Sequence, residues 1–278
     1  MHKHYLVANF QFSVLLPVYH GNTPHEFTVT LNSILSQTLP ATEVVIVRDG
    51  PVEEGISLQL ETLKNTPNVK VVELPRNMGL GTALNEGLKH CSYEWVARMD
   101  ADDKSQPDRF EVTVNYIISN PELDLVGSYY AEQHPKGKDF VRKVPLDFEG
   151  VLAFSGYRNP HSHPTVFYKK SAVQDAGGYV NFYFAEDWYL WLRMFKSGSQ
   201  SGNIPKVLVY AQSQNYSRRL GLASVRNDFK AIGGFCKEGL ITHQQYLLGI
   251  FVRALVKLLP DGWAGKFYKN YLRSATNH

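Results

Sequence analysis

The chain has 278 residues, of which 44% are hydrophobic and 13% aromatic, so it can bury a substantial core as one large domain or one domain with an appendage. Its two cysteines, Cys91 and Cys236, exclude a disulfide scaffold and a cysteine zinc site, and they favour a reducing cytosol. The formal net charge is +3, and the basic excess is too small and too localised for a nucleic-acid-binding protein.

The N-terminal segment does not predict a secretory signal. Asn9, Gln11 and Ser13 interrupt any apolar region, and no small-residue cleavage site follows. No run of 18 or more apolar residues occurs, so we expect no transmembrane helix. These features predict a cytoplasmic protein.

Apolar strand-like runs alternate with helical patterns through the first half of the chain. Strands are expected at 12–18, 43–47 and 69–74, with a fourth that begins at Trp95, and helices at 26–37, 56–65, 81–91 and 110–119. Strict alternation predicts an α/β fold whose sheet is mainly parallel and has helices on both faces. Ligands bind such sheets at the carboxyl ends of the strands, where the strand order reverses.

Polar residues follow each predicted strand. Tyr19 is placed to stack on or flank a base, Asp49 to accept a hydrogen bond from uracil or ribose, and Arg76 or Arg98 to meet phosphate charge. Asp49 also begins an Asp-Gly-Pro stretch that is typical of an ordinary turn. Together these residues predict a nucleotide pocket.

The glycines at 79 and 81 do not form a dinucleotide-binding fingerprint. Leu84 occupies the position of the third glycine, and the motif follows the third predicted strand instead of the first. Phosphate-binding P-loops and nucleophile-elbow serines are absent too. Gly79 and Gly81 are better suited to let the chain approach a ligand or turn tightly into a helix.

The fourth strand ends in three acids, Asp100, Asp102 and Asp103, in an Asp-x-Asp-Asp pattern. Crowded carboxylates repel one another, and a hard divalent cation such as Mg²⁺ or Mn²⁺ relieves that repulsion while phosphate oxygens fill its open positions. The pattern therefore predicts a metal-diphosphate site. The alternative is a turn that caps the helix beginning near Asp108.

The second half contains a candidate catalytic base. Glu186 and Asp187 open an aromatic-rich helix whose dipole helps to keep them ionised, and a displacement by a hydroxyl group needs one carboxylate to take the proton of that hydroxyl. We expect Asp187 to be that base and Glu186 to lie at the acceptor site, although Glu186 also suits a helix cap. Trp188 and Tyr183 offer flat faces for a sugar, while the helical spacing of Trp188 equally fits a core stripe.

Two further segments stay open. His161 and His163 precede a proline, where a histidine is a metal or phosphate ligand, an acceptor contact or a structural hydrogen-bonder. Arg218 and Arg219, after a strand predicted at 207–210, suit either a mobile lid over a diphosphate or a solvated loop.

The C-terminal segment holds the basic excess. Residues 251–278 carry five basic side chains and one acidic side chain, a net charge of +4. The other 250 residues carry 24 basic and 25 acidic side chains, a net charge of −1. Two amphipathic helices are expected, one with Leu248, Phe251, Leu255 and Leu258 at helical spacing and one with Trp263, Phe267 and Tyr271. They suit either an anionic membrane surface or packing on the main domain.

The chain resembles bacterial glycosyltransferase family 2, in the branch that builds amylovoran, capsule and O-antigen units. The resemblance runs in order along nearly the whole chain through segments 13–19, 77–80, 98–103, 163–165, 177–179 and 186–188. It implies a GT-A fold, a nucleotide-sugar donor, Mn²⁺ or Mg²⁺ at the Asp-x-Asp, and inversion at the anomeric carbon.

The resemblance also implies roles for individual residues. Asp102 would coordinate the metal and Asp100 would contact ribose or a metal-bound water, with His163 the better histidine candidate for the metal shell. The residues implied for the donor site are Pro17, Val18, Tyr19, Asp49, Arg76, Asn77, Gly79, Arg98, Asp100 and Ala101. Arg48 stands where relatives usually have a second acid, which leaves base and ribose recognition open.

These observations favour a non-processive, inverting, metal-dependent glycosyltransferase. It would move one sugar from UDP-glucose, UDP-galactose or dTDP-rhamnose to a lipid-linked saccharide at the inner face of the plasma membrane. We expect a GT-A catalytic domain at 1–240, with a nucleotide-sugar-binding half at 1–128 and an acceptor-binding half at 129–240, followed by a basic helical tail at 241–278. A soluble acceptor, a sugar-phosphate nucleotidyltransferase and a non-catalytic nucleotide-sugar-binding module are the alternatives.

Overall fold

The computed structural model describes residues 2–133, 139–182, 185–212, 222–258 and 274–275. The helices are α1 His2–Ala8, α2 Pro24–Leu35, α3 Glu54–Leu63, α4 Leu80–His90, α5 Arg109–Ser119, α6 Phe148–Ser155, α7 Lys170–Asp175, α8 Glu186–Lys196, α9 Leu222–Lys237 and α10 His243–Leu258. The strands are β1 Phe12–Tyr19, β2 Glu43–Asp49, β3 Val69–Leu74, β4 Trp95–Arg98, β5 Asp103–Ser105, β6 Leu125–Gln133, β7 Phe140–Arg142, β8 Phe167–Lys169, β9 Ser201–Gln212 and β10 Ser274–Ala275.

The first half of the chain forms the parallel part of the sheet. Strands β3, β2, β1 and β4 are neighbours in that order, and each pair is parallel. Their register brings Tyr19 opposite Asp49 and Asp49 opposite Leu74, so the carboxyl ends share one edge. The chain steps outward from β1 to β3 and then returns to the other side of β1 with β4. The strand order therefore reverses between β1 and β4, where a ligand crevice is expected.

Helices cover both faces of this sheet, as the alternating pattern predicted. Val44 and Ile46 of β2 pack with α2, α3 and α5, whereas Val45 and Val47 pack with α4, α7 and α8. Successive side chains of a strand point to opposite faces, so a strand buried on both faces reads as a continuous apolar run. The first four predicted helices begin within two residues of their observed starts.

The second half of the sheet is mixed. Strand β8 pairs antiparallel with β4 and β6, and β9 runs parallel to β6. The short strand β5 pairs antiparallel with β9, with Asp103 opposite Ala211. Asp103 is thus part of a strand, and Asp108, the residue before α5, accepts no capping hydrogen bond through its side chain. Asp102 lies in a turn, as the alternative predicted, but neither Asp102 nor Asp103 caps α5, whose N-cap residue is Asp108, so the capping part of the alternative is wrong.

The chain after β9 forms two helices, α9 and α10, and the short strand β10, which pairs antiparallel with β7, among the described residues. α10 packs on α9, and Ile241 and Tyr246 join a hydrophobic cluster with Trp188 and Phe235. The second predicted amphipathic helix, with Trp263, Phe267 and Tyr271, lies outside the described residues. Among the helices that the structure describes, none combines the length and apolarity needed to cross a bilayer.

Candidate functional site

The loops after β2 and β3 are joined at the carboxyl edge of the sheet. The two carboxylate oxygens of Asp49 accept hydrogen bonds from the backbone N–H groups of Met78, at 2.6 Å, and Gly79, at 3.1 Å. Gly50 has a φ of +80°, and a Cβ at this position would lie 2.4 Å from the backbone nitrogen of Asn77. Only glycine allows the two loops to approach this closely.

Asp49 is therefore used differently from the prediction. Its side chain is buried, and its charge holds the β3–α4 loop instead of facing an open pocket. The predicted hydrogen bond to uracil or ribose would have to use the lone pairs that these two N–H groups leave over. Asp49 is thus first a positioning residue for Gly79, which precedes α4.

The predicted pocket residues at the end of β1 differ in their exposure to solvent. Pro17 and Val18 are buried in the body of the strand, and Val18 belongs to the core. Tyr19 is half-buried at the rim, where its ring packs edge-on to His20 with 5.2 Å between centroids. His20 Nδ1 lies 3.4 Å from Asn77 Nδ2, which links this loop to the loop after β3.

Arg48 forms an ion pair with Glu73 on the neighbouring strand β3, with 3.2 Å between Nη2 and Oε2. This pair accommodates the basic residue where relatives usually carry an acid. Arg76 and Asn77 are exposed on the same rim. Arg76 is therefore accessible to an anionic ligand.

Two buried arginines, Arg98 and Arg109, lie at the end of β4 beside the acidic cluster. Arg109 donates from Nη2 to the carbonyl of Arg98 at 2.8 Å and approaches Met99 Sδ with Nη1 at 2.9 Å. Arg98 itself is buried and forms an ion pair with Asp100. Burial lowers the pKa of Arg109 to about 9, and the negative charge of Asp103 opposes this shift. Sequence reasoning missed Arg109, because nothing in its local pattern distinguishes it from a surface helix residue.

The carboxylates of the cluster repel one another. Burial and the neighbouring charge of Asp100 raise the pKa of Asp102 to about 6. The pKa of the buried Asp103 is raised in the same direction, by burial and then by Asp100 and Asp102. A bound cation would stabilise the ionised form of all three acids.

The predicted three-residue metal set is not assembled. Within the described part of the chain, no three His, Cys, Asp or Glu side chains come together as a metal-binding group. Asp100 is paired with Arg98, and His163 Nε2 lies 3.0 Å from the hydroxyl of Tyr179. Burial and then the charge of Arg98 hold the pKa of His163 well below its usual range, so it is neutral. The prediction that His163 joins Asp100 and Asp102 as a third ligand is not supported.

The start of α8 presents the candidate base. Asp187 Oδ2 accepts a hydrogen bond from Asn159 Nδ2 at 2.7 Å, and Oδ1 accepts from the backbone N–H of Trp188 at 2.7 Å. Burial and then the charge of Asp187 raise the pKa of the half-buried Glu186. Asn159 was not predicted, since an asparagine 28 positions away carries no local signal of this contact.

The two acidic centres interact electrostatically with Arg98 and with Tyr179. The charges of Arg98 and Asp100 act on Glu186, and those of Arg98, Asp187 and Asp100 act on Tyr179, whose pKa is raised mainly by burial. Such interactions weaken with distance, so the end of β4 and the start of α8 face one region. Tyr179 is fixed there by Asn85, which bonds its backbone N–H at 2.8 Å and its carbonyl at 2.7 Å.

Trp188 belongs to the core. Its side chain is 4% exposed, its indole donates to the carbonyl of Ser155 at 2.9 Å, and its ring lies 4.9 Å from that of Phe235. The prediction of a flat sugar-binding face at Trp188 is therefore wrong, because both faces are covered. Tyr183, Arg218 and Arg219 lie outside the described residues.

His161 is a structural residue. It is buried, with Nδ1 2.8 Å from Asn203 Oδ1 and Nε2 3.2 Å from Ser201 Oγ. Burial lowers its pKa to about 4. The structure thus settles the alternatives for His161 in favour of structural hydrogen bonding.

Similarity to known proteins agrees with this architecture. Residues 13–176 match Glycosyl transferase family 2. The chain is 38% identical over 270 residues to an uncharacterized glycosyltransferase of Haemophilus influenzae, covering 95% of this chain and 99% of that protein. It is 34% identical to the UDP-Gal:alpha-D-GlcNAc-diphosphoundecaprenol beta-1,3-galactosyltransferase of Escherichia coli, covering 95% and 97%. It is 35% identical to the amylovoran biosynthesis glycosyltransferase AmsE of Erwinia amylovora, covering 90% and 94%.

Solved structures share the fold. S. aureus TarS 1-349 in complex with UDP-GlcNAc has a TM-score of 0.66 at 20% identity, covering 88% of this chain and 73% of that one. The mannosyltransferase PcManGT from Pyrobaculum calidifontis, in complex with GDP-Man and Mn²⁺, has a TM-score of 0.64 at 20% identity, covering 92% and 73%. The predicted GT-A architecture is confirmed. By its match over residues 13–176 and its full-length relatives, the chain belongs to glycosyl transferase family 2 and is a glycosyltransferase.

Proposed function

We propose that this glycosyltransferase transfers one sugar, with inversion, from a nucleotide-diphosphate donor to a saccharide carried on a polyprenyl diphosphate. UDP-glucose or UDP-galactose is the expected donor, with dTDP-rhamnose next, in the synthesis of capsule, exopolysaccharide or O-antigen. One relative supports the acceptor class, because it is named for a diphosphoundecaprenol-linked sugar, and another, named for amylovoran biosynthesis, supports a role in polysaccharide synthesis.

One structural observation carries the proposal: the acidic end of β4 and the acidic start of α8 are linked through residues 163–166. The backbone N–H of Arg98 donates to the carbonyl of Val166 at 2.9 Å, and the ring of His163 packs edge-on to Trp191 of α8 with 5.9 Å between centroids. Transfer needs a place for the leaving diphosphate and a proton acceptor for the attacking hydroxyl within one site. In this proposal the diphosphate lies at the switch point between β1 and β4, and Asp187 is the proton acceptor. A module that only binds a nucleotide sugar would not need a proton acceptor.

Asp187 acts as the base in this scheme. Its carboxylate takes the proton of the acceptor hydroxyl while that oxygen attacks the anomeric carbon from the face opposite the diphosphate. Asn159 and the backbone N–H of Trp188 hold the carboxylate in one orientation. The half-buried Glu186 lies beside it and is placed to contact the acceptor. One base suffices for an inverting displacement.

Asp100 and Asp102 are the residues that would hold Mn²⁺ or Mg²⁺. They fit such an ion, because burial and mutual repulsion raise the pKa of Asp102 and a divalent cation relieves both effects. Ala101 separates the two acids in the chain. A bound ion would supply Lewis-acid stabilisation of the leaving diphosphate.

The donor is recognised in this proposal at the rim formed by the first three strands. Tyr19 flanks the base, and the exposed Arg76 and Asn77 meet the phosphates. Gly79, held by Asp49, brings the backbone of the β3–α4 loop close to the ligand. Pro17 and Val18, buried within β1, support Tyr19 from below.

Calorimetric titration of the purified protein tests the donor site. UDP, dTDP and GDP are titrated with and without Mn²⁺, on the parent protein and on Asp102→Ala. We expect micromolar binding of one nucleotide that requires both Mn²⁺ and Asp102. Metal-independent binding, or equal binding by Asp102→Ala, would overturn the metal-diphosphate site. Radiolabelled sugar transfer to a polyprenyl-diphosphate-linked monosaccharide then tests the acceptor class.

A further inference from the structure

Helix α10 presents an apolar surface to solvent. Leu247, Leu248 and Phe251 are 65%, 47% and 64% exposed, the largest such concentration along one helix among the described residues. Positions i, i+1 and i+4 lie on one side of a helix, so the three side chains form a continuous patch. We refer to these three residues as the α10 patch. Large exposed apolar groups that adjoin one another mark contact sites more often than single ones do.

The opposite side of α10 is the one that packs on the protein. A Cβ at Gly249 would lie 3.5 Å from both Tyr157 and Ile232, and Tyr246 is packed against the cluster that contains Phe235. The helix is therefore already docked through its inner side. The α10 patch is exposed to solvent because of this orientation of the helix, and not because the helix is detached from the protein.

Charge indicates what the α10 patch contacts. Residues 251–278, which begin within the patch, carry a net charge of +4, while the remaining 250 residues carry −1. An apolar helix face next to a basic segment is complementary to a bilayer that contains anionic lipids. A second copy of the chain, which carries the same charge in the same place, is electrostatically a poorer partner.

We propose that the α10 patch seats this enzyme on the surface of an anionic lipid bilayer. Leu247, Leu248 and Phe251 enter the interfacial region, and the basic segment that follows is attracted to the headgroups. The proposal rests on the proposed function in one respect: a lipid-linked acceptor gives the enzyme a reason to bind the bilayer. Docking itself requires only the patch and the charge.

The packing of the helices connects this surface to the reaction site. α10 packs on α9, and Phe235 of α9 contacts Trp188, the residue after Asp187. A second link joins Tyr189 of α8 to Glu238, just after α9, through a hydrogen bond of 2.7 Å. Binding through α10 would therefore fix the position of Asp187 relative to the lipid surface.

Vesicle co-sedimentation of the full chain tests the proposal. The vesicles contain phosphatidylcholine alone or phosphatidylcholine with phosphatidylglycerol, at low and high salt. The test variant is Leu247→Gln with Phe251→Gln. The matched control is Leu35→Gln with Leu58→Gln, which removes side chains that are 49% and 64% exposed on helices α2 and α3. The control therefore removes similar apolar exposure at another place.

We expect the parent and the control to bind the anionic vesicles equally and to be released by salt, and the test variant to bind at least tenfold more weakly. All three proteins should melt at the same temperature. Equal binding by the test variant overturns the proposal, and so does a parent that does not bind anionic vesicles. A lower melting temperature of the test variant would instead show that the chain covers the patch itself. A dimer that this variant alone dissociates would assign the patch to a second copy.

The same proteins separate this proposal from the proposed function. Sugar transfer to a short-chain, detergent-dissolved diphosphate-linked acceptor should be unchanged in the test variant, since the replaced side chains are exposed on α10. Vesicle binding without transfer to any lipid-linked acceptor would contradict the proposed function alone. Transfer without vesicle binding would contradict the docking proposal alone.

Discussion

Asp187 is held from two sides, by Asn159 and by the backbone N–H of Trp188. These two hydrogen bonds fix the direction of its carboxylate. For a base, such orientation is as important as basicity, because the proton must be within hydrogen-bond reach at the moment of attack.

Replacing Asp187 by Asn should lower kcat by about 10²–10⁴-fold, the usual contribution of general-base catalysis. The amide keeps one acceptor oxygen and loses one of the two hydrogen bonds, so the protein should be modestly less stable but still folded, with the nucleotide affinity retained. Product nucleotide release gives kcat, and calorimetry gives the affinity. Glu186→Gln is the matched control and should alter the KM of the acceptor more than kcat. Comparable kcat values for Asp187→Asn and the parent would remove Asp187 from the mechanism.

His161 should make the stability depend on pH. Its pKa is about 4 in the folded protein and 6.5 in the unfolded chain, so below pH 6.5 the unfolded chain binds a proton that the folded protein does not. The stability associated with the neutral ring is fully present above pH 6.5 and is lost as the pH falls toward 4.

The advantage of the parent over His161→Gln in unfolding free energy should therefore be about 1.3 kcal/mol smaller at pH 5.5 than at pH 7.5. Urea unfolding of both proteins at both pH values measures the difference. Comparing the two proteins cancels the titration of the remaining groups. A difference independent of pH would contradict the burial of a neutral His161.

At the scale of elements, the site depends on how two loops are tied together. Asp49 at the end of β2 accepts two backbone hydrogen bonds from the loop after β3, and Gly50 lets the loops touch. An Asp-Gly-Pro stretch by itself indicates a turn, and the structure shows that the turn also serves as the anchor of a second loop. The anchored loop carries Arg76 and Asn77 to the rim.

Asp49→Ala should lower the free energy of unfolding by roughly 3 kcal/mol, because it removes two hydrogen bonds to a charged acceptor. Asp49→Asn retains one acceptor oxygen and should cost about half as much. Urea unfolding measures both. Glu53→Ala, which removes an exposed acid nearby, should stay within about 0.5 kcal/mol of the parent. If Asp49→Ala behaved like this control, the anchoring role would be wrong.

At the scale of the whole molecule, donor binding should stabilise the fold. The proposed site joins the ends of β1 to β4 with the start of α8, so a ligand there contacts both halves of the sheet. A ligand that binds only the folded protein raises the free energy of unfolding by about 2.7 kcal/mol when its free concentration is 100 times its Kd. In a chain of this size that corresponds to a melting temperature higher by roughly 5–10 °C.

The increase should require the preferred nucleotide and Mn²⁺ together. Excess EDTA should abolish it, and so should Asp102→Ala. Differential scanning fluorimetry measures each condition. Stabilisation by the nucleotide that survives EDTA would show that the metal does not contribute to donor binding.

The sequence by itself determined the elements of the first half and the edge where they end. The apolar runs of β1 and β2 and the helical spacing between them are local patterns, so they predicted four parallel strands, helices on both faces and an acidic cluster at the end of β4. The motif resemblance identified the family for the same reason, since its residues occur in short contiguous segments.

Only the tertiary structure decided the contacts between distant segments. The pairing of β5 with β9, the bond from Asn159 to Asp187 and the burial of Trp188 against Phe235 all join segments whose approach depends on packing. Trp188 and Asp187 are adjacent in the chain, yet helix geometry turns one into the core and the other toward the site. A pattern of residue types specifies which side chains share a face, and the packing of that face then selects their partners.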